Sequence, residues 1–237
     1  MKMLLFLTLF TIHCSLFTAS AQTPTPTPGY SDSQDAIPVA AVKGETPRSI
    51  DEMKAAAKKN KTDDDVFFVW DKFKDESQVL SKPENIVGSW EGAFAIMGSS
   101  PRYGTGSGTP RLIIVHLEWR FGGKTLTETP DKFALVFSGM SPDWQFLKTG
   151  DTLYLLYDGD NRMQLNAAAS DRDVAKYNRV DETIAYIITR EQVATLAAAK
   201  KVELRIGNAK PREFKPKMLK RWQSLLDATK LDPATGR

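Results

Sequence analysis

Thr183-Ile-Ala-Tyr-Ile-Ile188 runs without a break into Thr189-Arg-Glu-Gln192, and that junction decides the fold. The first six residues are apolar and largely β-branched, the composition of a strand. A threonine followed three residues later by glutamine is a capping box, which opens a helix. The alanine-rich residues beyond it carry this helix to about Ala199. Downstream, Lys201-Val-Glu-Leu-Arg-Ile206 alternates, so Val202, Leu204 and Ile206 share one face of a strand and Lys201, Glu203 and Arg205 the other. Gly207-Asn208 is a turn signal, and a short strand is expected around Phe214. Pro216 then stands at the first position of a last helix, in which Met218, Leu219, Trp222, Leu225 and Leu226 recur at three- and four-residue spacing. The C-terminal part therefore reads as a β-α-β-β-α unit.

Working upstream, the pattern is one of strands. Leu112 to Phe121 alternates cleanly, with Ile113, Val115, Leu117, Trp119 and Phe121 on one face and Ile114, His116, Glu118 and Arg120 on the other. Gly122-Gly123 predicts a two-residue hairpin that turns the chain into Lys124–Glu128. Strands are also expected at Ile86–Met97, Phe133–Phe137, Trp144–Leu147, Leu153–Tyr157 and Met163–Leu165. Ser49-Ile-Asp-Glu52 is a second capping box, opening a helix to about Asn60 with Ile50, Met53 and Ala57 on one side. Thr62-Asp-Asp-Asp65 predicts another helix start, because acidic residues in a first turn complement the helix dipole. That helix would place Val66, Val69, Trp70 and Phe73 on one face, and a strand through Val66–Trp70 is the alternative. The fold class is α+β: a mostly antiparallel sheet or barrel-like meander, in a single domain over residues 49–237.

The composition, 41% hydrophobic and 26% charged over 237 residues, is that of a globular chain able to bury a core unaided. Lys2, the apolar run Met3–Phe10 and Ala19-Ser-Ala21 together read as a signal peptide over residues 1–21. His13, Cys14 and Ser15 interrupt the run, which falls short of the about 20 residues a membrane span needs. No transmembrane segment is expected after cleavage. Thr11-Ile12-His13 does not form the small-residue pattern that precedes a lipidated cysteine. Cleavage removes Cys14, the sole cysteine, so a disulfide-stapled fold is excluded. Residues 22–48, beginning with alternating Thr-Pro, form a linker of polyproline character. The protein is therefore expected to be exported, periplasmic or secreted, and nucleic acid is not an expected partner. The formal charge of +3 loses one unit with Lys2 and specifies no partner for the molecule as a whole.

Residues with chemical potential are few. His116 and Glu118 lie two apart and so share a face, as a polar pair able to share a proton, but one histidine without cysteine is too few ligands for a zinc site. Gly123-Lys124-Thr125 lacks the upstream glycine of a phosphate-binding loop, and Asp158-Gly-Asp-Asn161 is followed by Arg162 where a calcium loop needs an oxygen. Consecutive Asp63, Asp64 and Asp65 point in different directions. No catalytic residue, metal ligand or cofactor is identified. Gly98–Gly108 predicts a mobile loop, with Arg102 and Tyr103 as candidate ligand contacts. Between Lys200 and Arg221 nine basic residues stand against Glu203 and Glu213. Lys217, Lys220 and Arg221 crowd the start of the last helix, where positive charge opposes the dipole at a few tenths of a kcal/mol each. Lys215, Lys217, Lys220 and Arg221 therefore form a candidate patch for an anionic partner, such as an envelope component.

Gly88-Ser89-Trp90 resembles the Gly-x-Trp start of lipocalin-like barrels, and that resemblance implies a carrier of a small apolar molecule. Trp144-Gln-Phe-Leu147, Asp151–Gly159 and Val202–Ile206 before a final helix resemble uncharacterised secreted β-rich bacterial domains, which implies export and a fold but no activity. The primary expectation is an exported, non-enzymatic binding or interaction domain. A lipocalin-like carrier and a hydrolase with an unrecognised site are the alternatives. Intact-mass measurement of the exported protein is expected to show a chain beginning at Gln22; a mass retaining residues 1–21 would refute cleavage.

Overall fold

The two-faced strand β5 (Leu112–Gly122) is the element on which the sheet is laid. The computed structural model describes residues 45–87, 112–141, 152–175 and 179–232. One edge of β5 pairs with β7 (Lys132–Ser141). The other is shared by β3 (Glu76–Ser81), opposite residues 118–122, and β4 (Glu84–Val87), opposite residues 113–115. Beyond β7 come β10 (Arg179–Thr189), β9 (Asn161–Ala175), β8 (Thr152–Tyr157), β11 (Val202–Ile206) and β12 (Arg212–Glu213); beyond β3 lies β2 (Val66–Asp71). All these pairings are antiparallel. The terminal strands β12 and β2 do not pair, so the sheet is open and not a closed barrel.

One face of this sheet carries the core. Val115, Leu117, Phe133, Leu135, Phe137, Ile184, Tyr186 and Ile188 pack together, with Tyr186 edge-on to Phe137 at 5.8 Å, and the cluster continues through Leu153, Leu155, Val202, Leu204 and Ile206. Helices α1 (Ile50–Lys59), α2 (Arg190–Ala198) and α3 (Pro216–Ala228) contribute to the same cluster. Both capping boxes form. Ser49 and Glu52 exchange bonds at the start of α1, and Thr189 and Gln192 at the start of α2. Ile50, Met53 and Ala57 are the buried residues of α1, as their spacing requires. In α3 the apolar stripe is buried, and Trp222 meets Phe214 edge-on at 5.0 Å. This helix packs on α2, α1, β2 and β3. It also reaches β11 through Phe214, whose amide donates to the Val202 carbonyl at 2.9 Å. Arg190, the first residue of α2, donates to the Leu226 carbonyl and to Thr229 Oγ1 at 3.2 Å, satisfying the C-terminal end of α3.

Three expectations are corrected. Val66–Asp71 is a strand, not a helix: Val66, Phe68 and Trp70 stand opposite Ser81, Val79 and Ser77 of β3. A run of valines and aromatics gains more from a pleated, half-buried surface than three aspartates gain from a helix dipole. The aspartates sit in the turn before β2, where the Asp65 carboxylate lies 3.5 Å from Arg221 Nε. Gly123 does turn the chain, with φ of +69°, but the following residues do not return along β5. Instead β6 (Thr125–Leu126) pairs with β1 (Arg48–Ser49) in a separate two-stranded sheet, which buries Leu126. The strand expected at Met163–Leu165 belongs to the 15-residue β9, whose residues 161–166 pair with β8 and 167–175 with β10. Ala167-Ala-Ala-Ser-Asp-Arg-Asp173 has no apolar alternation to announce this extension. Attachment of the chain begins at Glu45: its carboxylate accepts from the Thr129 amide, and Thr46 N donates to the Asp232 carbonyl at 2.9 Å. The expected strand Trp144–Leu147 and most of Ile86–Met97 lie outside the described residues.

Because Trp222 is fully enclosed, Trp222→Ala is expected to cost about 3–5 kcal/mol in a denaturant titration. A loss under about 1 kcal/mol would mean that α3 is held by contacts other than this ring.

Candidate functional site

On the face of β5 away from the helices, Ile114, His116, Glu118 and Arg120 alternate with the core residues. Strand pairing brings Gln78 opposite Arg120, Leu80 and Ala134 opposite Glu118, and Val136 opposite His116. Glu118 is only 7% exposed. Its Oε2 accepts from Gln78 Nε2 and lies 3.2 Å from His116 Nε2, while Oε1 accepts from Arg120 Nε at 3.1 Å. Arg120 also reaches Glu76 Oε1 at 3.5 Å. Burial alone would raise the Glu118 pKa, but His116 and Arg120 outweigh it and hold the carboxyl below the usual carboxylate range. The expected pair is thus brought together, and two further residues that sequence spacing did not reveal close around it. Gln78 and Glu76 come from a strand some forty positions away, and only the β3–β5 register places them here.

This cluster is self-satisfied. A hydrolytic site needs carboxylates or a nucleophile converging on the histidine. Here Glu76 is directed to Arg120, and the described residues contain no group of three or more His, Cys, Asp or Glu able to hold a metal. What the arrangement does is lock β3 to β5 through an ionised, hydrogen-bonded carboxylate.

The candidate basic patch is divided by the fold. Arg221 is only 3% exposed, bonded to Glu84 and 3.5 Å from Asp65, and Lys215 Nζ lies 3.4 Å from Glu84. Lys217 and Lys220 remain in solvent. The spacing already held this outcome: residue 221 falls three after Met218 and four before Leu225, on the buried stripe itself. Its acidic partners lie more than 130 positions upstream. Arg102 and Tyr103, and the Gly88-Ser89-Trp90 start, lie outside the described residues.

The surface feature that sequence reading placed in a core is the turn between β2 and β3. Phe73, expected on a buried helix face, is 88% exposed at its tip, and Trp70 is 38% exposed beside it. The turn is held in shape. Asp71 Oδ1 accepts from the amides of Phe73 at 2.9 Å and Lys74 at 3.3 Å, and Asp75 adopts φ of +49°. The neighbouring turn after β5 is tied to it: Gly123 N donates to the Asp75 carbonyl at 2.7 Å, and Ser77 Oγ donates to the Gly123 carbonyl. Lysines surround the rings, with Lys124 Nζ 3.7 Å from the centre of Trp70 and Lys72 Nζ 5.0 Å from that of Phe73. The available signal was Lys72-Phe73-Lys74, an aromatic between two lysines and two aspartates, which suits a turn better than a helix interior.

Fold and site together define an open-sheet α+β domain with a closed polar cluster on one face and an aromatic, lysine-bearing tip at one end. Comparison with protein-family models finds no match, and searches of curated proteins and of solved structures find none at a significant level.

The Glu118 pKa sets a pH dependence. A carboxyl whose folded pKa is depressed contributes stability above its unfolded pKa and loses it as pH falls through the folded value. Glu118→Gln should therefore cost about 1–3 kcal/mol at neutral pH, and the difference from the parent should shrink below about pH 4. Parallel denaturant titrations at pH 7 and pH 3.5 measure this, and a difference independent of pH would refute the ionised, paired carboxylate.

Proposed function

We propose that this chain is an exported binding domain, non-enzymatic, that engages its partner through the end of the sheet bearing Phe73 and Trp70. The observation that carries the reading is the 88% exposure of Phe73 on a turn fixed by the Asp71 bonds. A single exposed apolar residue is ordinary on a protein surface. Two aromatic rings together, projected by a hydrogen-bonded turn and braced against a second turn, form a contact surface that is already ordered before any partner arrives. Export is supported by Lys2, the apolar run and Ala19-Ser-Ala21, which precede the linker.

The test is retention of the full mature chain on isolated envelope fragments, compared with the double variant Trp70→Ser, Phe73→Ser. Both rings are solvent-facing, so the melting temperature should change little. Retention is expected to fall about tenfold or more, the effect of removing one well-buried aromatic contact. Equal retention of the two proteins, or no retention of either, would overturn the proposal.

A further inference from the structure

Resting on that reading, we infer that the partner of the tip is an anionic bilayer surface, with Phe73 and Trp70 entering the interface and Lys72, Lys74 and Lys124 meeting headgroup phosphates. The shape of the tip is the first argument. It is convex, made of two turns bonded side by side, with Phe73 projecting from it. A polymer strand or peptide is gripped by a groove or lies along a sheet edge. A projecting ring enters a medium that yields around it.

The order of chemical groups is the second argument. The apolar rings stand foremost, and ammonium groups lie against their faces, at 3.7 Å for Lys124 over Trp70 and 5.0 Å for Lys72 over Phe73. This is the sequence of layers in a membrane interface, where aromatic rings sit at headgroup level and lysine stems reach back to the phosphates. The carboxylates of the tip are partly withdrawn from that contact. Asp71 is engaged with two backbone amides and Glu76 is directed to Arg120, which leaves Asp75 against three lysines. Each lysine near an anionic surface multiplies the partition by about fivefold. Burial of one phenyl ring multiplies it by about tenfold or more. Binding by such a tip is reversible, as it is for a single shallow anchor. No helix among the described residues is long and apolar enough to cross a membrane, and docking by this tip requires none.

The full mature chain is sedimented with vesicles of phosphatidylglycerol mixed with phosphatidylcholine, and with vesicles of phosphatidylcholine alone, at low and at physiological ionic strength. Binding is expected to the anionic vesicles, to weaken with salt, and to fall about tenfold in Phe73→Ser. The triple variant Lys72→Gln, Lys74→Gln, Lys124→Gln should lose the preference for phosphatidylglycerol. Lipids brominated in the acyl chain should quench a component of the tryptophan fluorescence that is missing in Trp70→Phe. Circular dichroism and melting confirm that each variant is folded. Binding to vesicles that Phe73→Ser leaves unchanged, or an anionic preference that survives the triple substitution, would overturn the inference. No vesicle binding, together with Phe73-dependent retention on delipidated envelope polymer, would overturn the bilayer as partner while sustaining the binding domain. Loss of both would remove the binding reading as well.

Discussion

Arg221 is the constraint on which the arrangement of the layers depends. It lies within the apolar face of α3, between Met218 and Leu225, and its guanidinium is held by Glu84 of β4 and Asp65 before β2. Ser224, one turn further along the helix, comes within 3.5 Å of the same aspartate. An ion pair taken out of water recovers little net free energy over an apolar substitute, because desolvation offsets most of the attraction. Its value here is positional. An apolar residue at 221 would accept several docking angles of α3 on the sheet, whereas a fork-shaped cation between two carboxylates from different elements accepts one. With α3 fixed, Trp222 reaches Phe214, Phe214 reaches Val202, and Arg190 closes the far end of the helix.

What could be read from the sequence was what is decided locally. The capping boxes at Ser49 and Thr189 satisfy their own amides within four residues, and both helices begin where those boxes place them. Alternation along Leu112–Phe121 and Val202–Ile206 gave both faces of both strands, since period two leaves no second solution once a core face exists. The losses arose where a distant partner decides. Asp65 has its reason in Arg221, and Leu126 is drawn to a strand formed by Arg48 and Ser49, so neither outcome can be seen from its own neighbourhood. The second half of β9 is stabilised by backbone ladder bonds to β10, which leave no mark on hydrophobic pattern.

The two polar regions invite opposite conclusions for the same reason. His116 and Glu118 were the residues that chemistry would single out, and the fold has turned them on each other and on Arg120 and Gln78. Their donors and acceptors are consumed in holding strands together. Phe73 has no polar chemistry at all, yet the bonds around it serve to hold it out in water. Function is sought more profitably where a structure maintains an unfavourable exposure than where it has satisfied a reactive pair.

The shared strand β9 has a consequence for how the molecule comes apart. Because its first residues complete the β8–β11 half and its last residues complete the β10–β7 half, with a shift in register beside Tyr186, neither half possesses a full set of strands of its own. Loosening one half strips a ladder from the other. The domain should thus lack a free-standing subdomain on this side of the sheet, and slow amide exchange should spread across both halves as one cooperative block. A protein that meets its partner only at a small tip can, in this way, keep the remainder of its sheet closed to fluctuation.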